Sequence, residues 1–440
     1  MKKKKLTLQE KLAKRKFKSP NPIIHGIYHF IMKYFVMRKY KLKITKRDKI
    51  SDCKGPCFII FNHLSRYDHM FVMRAAWPRR YNMVAAYNEF FRSHLSFVFG
   101  LEKVIPKKNF TVDMTSLKAM AKVIKSGGAI AFSPEGMSSI TGHNQPIVET
   151  TGNFLKHYKI PVYMVKLKGS YLTEHKVCLD ERLGRVEAET YLLFSPEQLE
   201  KMTDQEVNDR INEEFHHDEY EWNKEVKIKW KHDGNICSHF HDLAYKCPKC
   251  GEELKMLGDK NFIRCEACGN GGTMDDYYTL TPFNEDCKIF ESLSKWVDWE
   301  RELVIKEIRQ TPDFSYSVNV KMGCLDKYKT LKKMQTSIPC GEGKLIFDHN
   351  GIHFVGVRDG KDYTFELSYE QIYTLILITD VTFFSFYVKG EYLEFTPDIP
   401  CVGKILLIVE EMHRLHVNRW KNFPWFDYMY EGIETKTKNK

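Results

Sequence analysis

Residues 57–68 read Cys57-Phe58-Ile59-Ile60-Phe61-Asn62-His63-Leu64-Ser65-Arg66-Tyr67-Asp68, five apolar residues running straight into a polar turn. A run this short, aromatic and branched predicts a buried strand, whose carboxyl end delivers Asn62 and His63 into a loop. Strand ends of this kind commonly carry active sites in α/β sheets. Ser65 is expected to cap a following helix, with Asp68 at its third position, one turn from the imidazole. Asp68 would then hold His63 in one tautomer. That leaves the other ring nitrogen free as a general base toward a hydroxyl, with the carboxylate stabilising the imidazolium formed. Standing alone, the pair reads more simply as a histidine beside a helix cap.

A second apolar run, Ala129–Phe132, ends in Ser133-Pro134-Glu135-Gly136. Two polar motifs at two strand ends predict one shared cleft. In this arrangement the chain resembles the glycerolipid acyltransferases, typified by 1-acylglycerol-3-phosphate acyltransferase. Asn62-His63-x-Ser65-x-x-Asp68 matches the first motif of that family, Pro134-Glu135-Gly136 the third, and Ile160-Pro161-Val162, more weakly, the fourth. The resemblance covers roughly residues 51–225. It implies that His63 deprotonates the acceptor hydroxyl and Asp68 orients it. Asn62, Ser65, Glu135 and Gly136 are then expected to line the substrate site. The implied donor is a fatty-acyl thioester, acyl-coenzyme A or acyl-carrier protein, and the implied acceptor a lysophospholipid of phospholipid biosynthesis. Direct attack of the acceptor oxygen on the thioester needs no protein nucleophile.

Two departures bear on the acceptor. The second motif of the family usually ends in an arginine that grips the acceptor phosphate, whereas residues 100–108 here end in Ile105-Pro106-Lys107-Lys108. Lys107 and Lys108 are therefore the expected substrate contacts, binding phosphate as point charges without the bidentate fork. The third motif commonly continues Thr-Arg-Ser, but here it reads Met137-Ser138-Ser139. A weaker or differently built phosphate pocket follows. Lysophosphatidic acid, another lysophospholipid and a lipid alcohol without a terminal phosphate all fit as acceptors.

Charge is concentrated at one end. The 440 residues carry a formal +11, yet residues 1–50 hold 17 Lys and Arg against Glu10 and Asp48, a net +15 that leaves −4 for the rest. A local polybasic arm, rather than a generally basic surface, is what this describes. Within it residues 23–36 are mostly apolar and helical in pattern, too short and polar to span a bilayer. A basic helix with a wide apolar side suits the headgroup region of an anionic membrane; packing on the catalytic domain is the competing reading. Residues 1–18 hold no apolar segment beside their charges, so the expected location is cytoplasmic, peripheral on the inner face of the cell membrane.

Cys247-Pro248-Lys249-Cys250 and Cys265-Glu266-Ala267-Cys268, each followed by glycine, form a zinc-ribbon pattern. Two such knuckles turn Cys247, Cys250, Cys265 and Cys268 toward one ion and close a structural Zn2+ site with no open position for catalysis. Cys237, His239 and His241 read as bystanders. Charges around the ribbon are balanced and lack basic-aromatic interleaving, so nucleic acid is not an expected partner.

Beyond the ribbon, strand candidates lie at 343–347, 352–357, 363–367, 374–377, 382–388 and 392–395. Asn350-Gly351, Asp359-Gly360 and Lys389-Gly390 mark hairpin turns. A helix over 402–420 closes the unit, an order that resembles a pleckstrin-homology-like fold. The expected organisation is a basic arm at 1–50, an α/β acyltransferase domain with a mixed sheet and flanking helices at 51–230, a zinc ribbon at 231–285, and a β-rich accessory domain at 286–440. The competing functional class is a non-catalytic, zinc-stabilised lipid-binding or scaffold protein.

Overall fold

The computed structural model describes residues 6–333, 335–378, 381–417 and 424–435, the side chains of residues 35, 36 and 424 aside. Lys2–Lys5 of the basic arm, residues 418–420 of the expected last helix and residues 421–423 lie outside the described residues.

Strands β1 (Lys43–Lys46), β2 (Cys57–Phe61), β3 (Tyr81–Ala86), β4 (Ile105–Lys107), β5 (Ala129–Phe132), β6 (Val162–Lys168) and β7 (Glu187–Phe194) form one sheet in the order β1-β7-β6-β2-β5-β3-β4. Only the β6–β7 pair is antiparallel, so the sheet is mixed as expected. All five residues of β2 are buried because the strand sits at the centre with layers on both faces. Phe58 and Ile60 point to one layer, with Met120 and Val123 of helix Met114–Lys125 and Val207 and Ile211 of helix Asp204–Phe215. Cys57, Ile59 and Phe61 point to the other. Truncating Phe58 to alanine would cost about 3–5 kcal/mol at such a site. Because β1 pairs with β7, the sheet begins inside the segment assigned to the arm.

Strands β8 (Met256–Asp259), β9 (Phe262–Cys265), β10 (Gly271–Met274) and β11 (Leu280–Pro282) make the small antiparallel ribbon sheet. Strands β12 (Ser315–Cys324), β13 (Ile338–Asp348), β14 (Gly351–Arg358), β15 (Lys361–Leu367), β16 (Phe384–Val388) and β17 (Glu391–Pro397) form the third, ordered β15-β14-β13-β12-β17-β16. The hairpins fall at the expected turns, with Asp359 and Lys389 at φ 49° and their following glycines at φ 76° and 80°.

The C-terminal unit departs from expectation in four places. Residues 374–377 contribute a single bridge, Ile376 to Ser385, not a strand. Strand β12 was not foreseen, although Val318, Val320 and Met322 alternate inward on it. Helix Leu293–Gln310 was missed because buried Glu300, accepting from the Lys246 amide at 2.7 Å, interrupts its apolar side. Helix Val402–His416 is shorter than predicted and buried nearly all round rather than on one face. It is enclosed by helix Leu293–Gln310, the third sheet and the ribbon, where Lys404 meets Glu253 at 2.7 Å. One apolar core therefore runs from β2 through the ribbon to this helix.

The arm docks by its polar side. On helix Pro22–Ile31, capped by Asn21, buried His25 meets Glu102 Oε2 at 2.7 Å and His29 stacks on Trp77 at 3.8 Å. Ile23, Ile27, Phe30 and Ile31 face solvent, with Tyr34 on the following π-helical turn.

Candidate active site and metal centre

Helix Asp68–Ala76 starts two residues later than the capping-box reading required, so Asp68 is its first residue rather than its third. The functional consequence is larger than the shift. Asp68 is buried and folds its carboxylate back over the loop, where Oδ2 accepts the amides of Leu64 at 2.7 Å and Ser65 at 3.0 Å and lies 2.7 Å from His63 Nδ1. Its other oxygen accepts from Ser170 Oγ at 2.5 Å. A carboxylate accepts here, so His63 Nδ1 carries the hydrogen and Nε2 presents its lone pair. The His63 side chain is 30% exposed while that of Asp68 is 1% exposed, so the ring reaches outward from a buried anchor.

The third motif clamps His63 through its backbone. Glu135 Oε2 accepts the His63 amide at 2.6 Å, and Ser139 N–H donates to the His63 carbonyl at 2.7 Å. Glu135 Oε1 accepts from Gln145 N–H at 3.0 Å. Burial raises the Glu135 pKa to about 8, against the lowering effect of those two amides.

Two motifs at two strand ends thus converge on one residue, the first holding the His63 ring and the third its backbone. Residues 41–168 match the family model described as Acyltransferase. Residues 41–168 are thus an acyltransferase domain. None of the curated proteins matches the chain. Among solved structures it is similar to the 1-acyl-sn-glycerophosphate (LPA) acyltransferase of Thermotoga maritima, at 14% identity and a TM-score of 0.38, over 47% of this chain and 81% of that one. The identification rests on the matched residues, not on that overlay.

As an O-acyltransferase the protein needs a base at an acceptor hydroxyl, and several residues expected to touch substrate are otherwise engaged. Asn62 is fully buried and mimics a strand pair, donating to Leu167 O at 2.9 Å and accepting from Leu167 N at 2.7 Å. Ser65 is buried against Ser170, Oγ to Oγ 2.8 Å. Both oxygens of Glu135 are taken by amides. Gly136 sits at φ 76° beneath Phe110, where a Cβ would approach the ring to 2.7 Å, so its lack of a side chain serves packing. The Lys107 amine donates to the carbonyls of Lys108 at 2.6 Å and Thr111 at 2.7 Å, and burial lowers its pKa to about 8. The Lys108 amine spans to Gly390 O at 2.6 Å, between the rings of Tyr87 and Tyr387. The structure thus places Glu135 on the His63 backbone, Asn62 on Leu167, Ser65 on Ser170 and Gly136 beneath Phe110, and ties both lysines to backbone. Ser170 was missed by sequence reasoning, since nothing in Lys168-Gly169-Ser170-Tyr171 carries a motif spacing.

The four ribbon cysteines meet at one point. Cys247 and Cys268 lie 3.7 Å apart at sulfur, Cys250 and Cys265 3.8 Å, and all four sulfurs fall within 4.8 Å of one another. Disulfides require about 2.05 Å. A tetrahedral ion with metal–sulfur bonds of about 2.3 Å sets sulfurs about 3.8 Å apart, so these residues fit such a group. His239, His241 and Asp242 also cluster, but His241 Nδ1 accepts the Gly258 amide at 2.9 Å, which leaves the hydrogen on Nε2, the atom that faces Asp242.

Proposed function

We propose that the protein transfers a fatty acyl group from an acyl thioester, acyl-coenzyme A or acyl-carrier protein, to a hydroxyl of a lysophospholipid such as 1-acylglycerol-3-phosphate in phospholipid biosynthesis, with His63 as general base. The observation that carries this reading is the His63–Asp68 pair: Nδ1 anchored on a buried carboxylate, Nε2 left for the acceptor. In the reaction Nε2 takes the hydroxyl proton as the oxygen bonds to the thioester carbonyl. The tetrahedral adduct then collapses, its carbon–sulfur bond breaks, and the imidazolium returns the proton to the departing thiolate. Asp68 stabilises the imidazolium between these steps.

The exposed stripe of helix Pro22–Ile31 supports membrane association. Among the described residues no helix is long and apolar enough to cross a membrane. Ile23 is 72% exposed and Phe30 55%, beside an open groove of about 530 Å³ whose lining includes Lys33, Arg38, Lys41 and Arg74. Apolar side chains above cations suit the boundary of an anionic bilayer, on the cytoplasmic face. In the ribbon Cys247, Cys250, Cys265 and Cys268 hold a structural Zn2+, which ties the acyltransferase domain to the β-rich accessory unit.

The deciding test is acyl transfer from labelled acyl-coenzyme A and acyl-carrier protein to a panel of lysophospholipids, run beside His63→Ala. His63-dependent product is expected. A folded protein that binds vesicles yet gives no product from either donor would instead favour the non-catalytic, zinc-stabilised lipid-binding scaffold.

A further inference from the structure

The segment Ser170–Lys176, which leaves the end of β6, touches the catalytic loops three times. Ser170 Oγ donates to Asp68 Oδ1 at 2.5 Å, tying its start to the first motif. Glu174, 4% exposed, pairs with Arg66 of the same motif at 2.5 Å between Nη2 and Oε2. Lys176 reaches the third motif, its amine 2.8 Å from Ser138 Oγ and 3.1 Å from Ser138 O. Ser138 is partly exposed and adjoins Ser139, whose amide bonds the His63 carbonyl. The whole segment therefore wraps the rim of the loops that hold the base.

Lys176 stands apart from the buried cations that meet a carboxylate; Arg182, which also lacks one, is instead held by three backbone carbonyls, of Cys178, Asp180 and Asn235. Lys176 is 8% exposed, and its two hydrogen-bond acceptors are neutral oxygens of one serine. Lys404, equally buried, has Glu253 at 2.7 Å, and Arg301 has Glu410 at 2.7 Å. Among the described residues no carboxylate compensates Lys176, and burial alone lowers its pKa, to about 7. Taking an amine out of water without a counter-charge is costly, and a loop clip to Ser138 could be made by a neutral side chain. An anion supplied from outside the chain would complete both the charge and the third N–H.

We propose that Lys176 is the anion-binding residue of the acceptor site, holding the phosphate of a phosphate-bearing acceptor beside the Ser138–Ser139 loop. The inference rests on the acyl-transfer reading. It assigns the charge missing from Lys107, Lys108 and the third motif to a segment that carries no motif.

The test compares wild type, Lys176→Met and Lys176→Arg on two acceptors, a lysophosphatidic acid and an uncharged monoacylglycerol. Methionine is close in length and removes the uncompensated amine, so the melting temperature is expected to hold or rise. The expected result is a fall of about tenfold or more in the ratio of kcat/KM for the phosphate acceptor over the uncharged one in Lys176→Met, with partial recovery in Lys176→Arg. A ratio unchanged by Lys176→Met, whether both activities fall together or neither does, overturns the proposal. A second arm needs no turnover: calorimetric titration with glycerol 3-phosphate should show binding to wild type and about tenfold weaker binding to Lys176→Met. Equal binding to both, or none to wild type, overturns the anion site. Lys176-dependent binding by a wild type that turns over no acceptor would sustain the site and sink the acyl-transfer reading. Turnover with an unchanged ratio would do the reverse.

Discussion

His63 Nδ1 stands 2.7 Å from Asp68 Oδ2, and the same oxygen accepts the amides of Leu64 and Ser65. The carboxylate thus shapes the loop and sets the tautomer at once. His63→Ala should lower kcat by about a hundred- to ten-thousandfold with a native circular dichroism spectrum. Asp68→Asn should also lower kcat, and in addition melt earlier, because an amide nitrogen placed among donors leaves one of them unsatisfied. Equal melting temperatures for wild type and Asp68→Asn would refute the dual role.

Glu135 offers a pH test. Its carboxyl group holds its proton more tightly in the folded protein, up to about 8, than at its ordinary value of 4.5. A group raised in this way destabilises progressively as pH climbs through that interval. Denaturant titrations should show the wild type losing stability relative to Glu135→Gln as pH rises between about 4.5 and 8, because only the wild type carries the titrating carboxyl group. A pH-independent difference would show that Glu135 titrates normally.

His143, in the loop after the third motif, meets Asp298 of helix Leu293–Gln310 at 3.0 Å. Burial alone would lower the His143 pKa, but Asp298, with Asp218 behind it, more than offsets this and raises it to about 9. The pairing is fully present below the ordinary value of 6.5 and is lost as pH rises through about 9. His143→Gln should therefore lower stability at pH 6 on the order of 2–3 kcal/mol and much less at pH 9.5, read by chemical denaturation.

Purified protein should hold one zinc per chain, measured by elemental analysis, and a strong chelator should lower its melting temperature. Cys265→Ser should abolish the metal and lose stability, since ribbon and accessory sheet share a core with the acyltransferase domain. Metal-free protein of unchanged stability would reduce the four thiols to ordinary cysteines.

Deleting the arm through residue 49 would remove β1 from the sheet, so the membrane test is a double substitution, Ile27→Asp with Phe30→Asp. Both side chains are more than half exposed, at 56% and 55%. Sedimentation with anionic vesicles should fall several-fold at an unchanged melting temperature. Undiminished binding would remove helix Pro22–Ile31 from the membrane surface.

The residues by themselves determined the buried strand β2, the strand-end motifs, the ribbon knuckles and the hairpin turns, because each follows from contacts within about a dozen positions: period, turn chemistry and paired thiols. They also determined that an apolar helix would lie among cations. Tertiary structure decided which residues face substrate and which face each other. Asn62 pairs with Leu167, 105 positions away, Glu135 reaches back 72 to the His63 amide, and Lys108 spans 282 to Gly390. It also decided that His25 and His29 turn inward while the isoleucines stay in solvent, against the usual sense of an amphipathic helix. Hydrogen bonds across such separations leave no periodicity in the chain, since a polar side chain has the same letter whether it meets a ligand, water or a distant carbonyl.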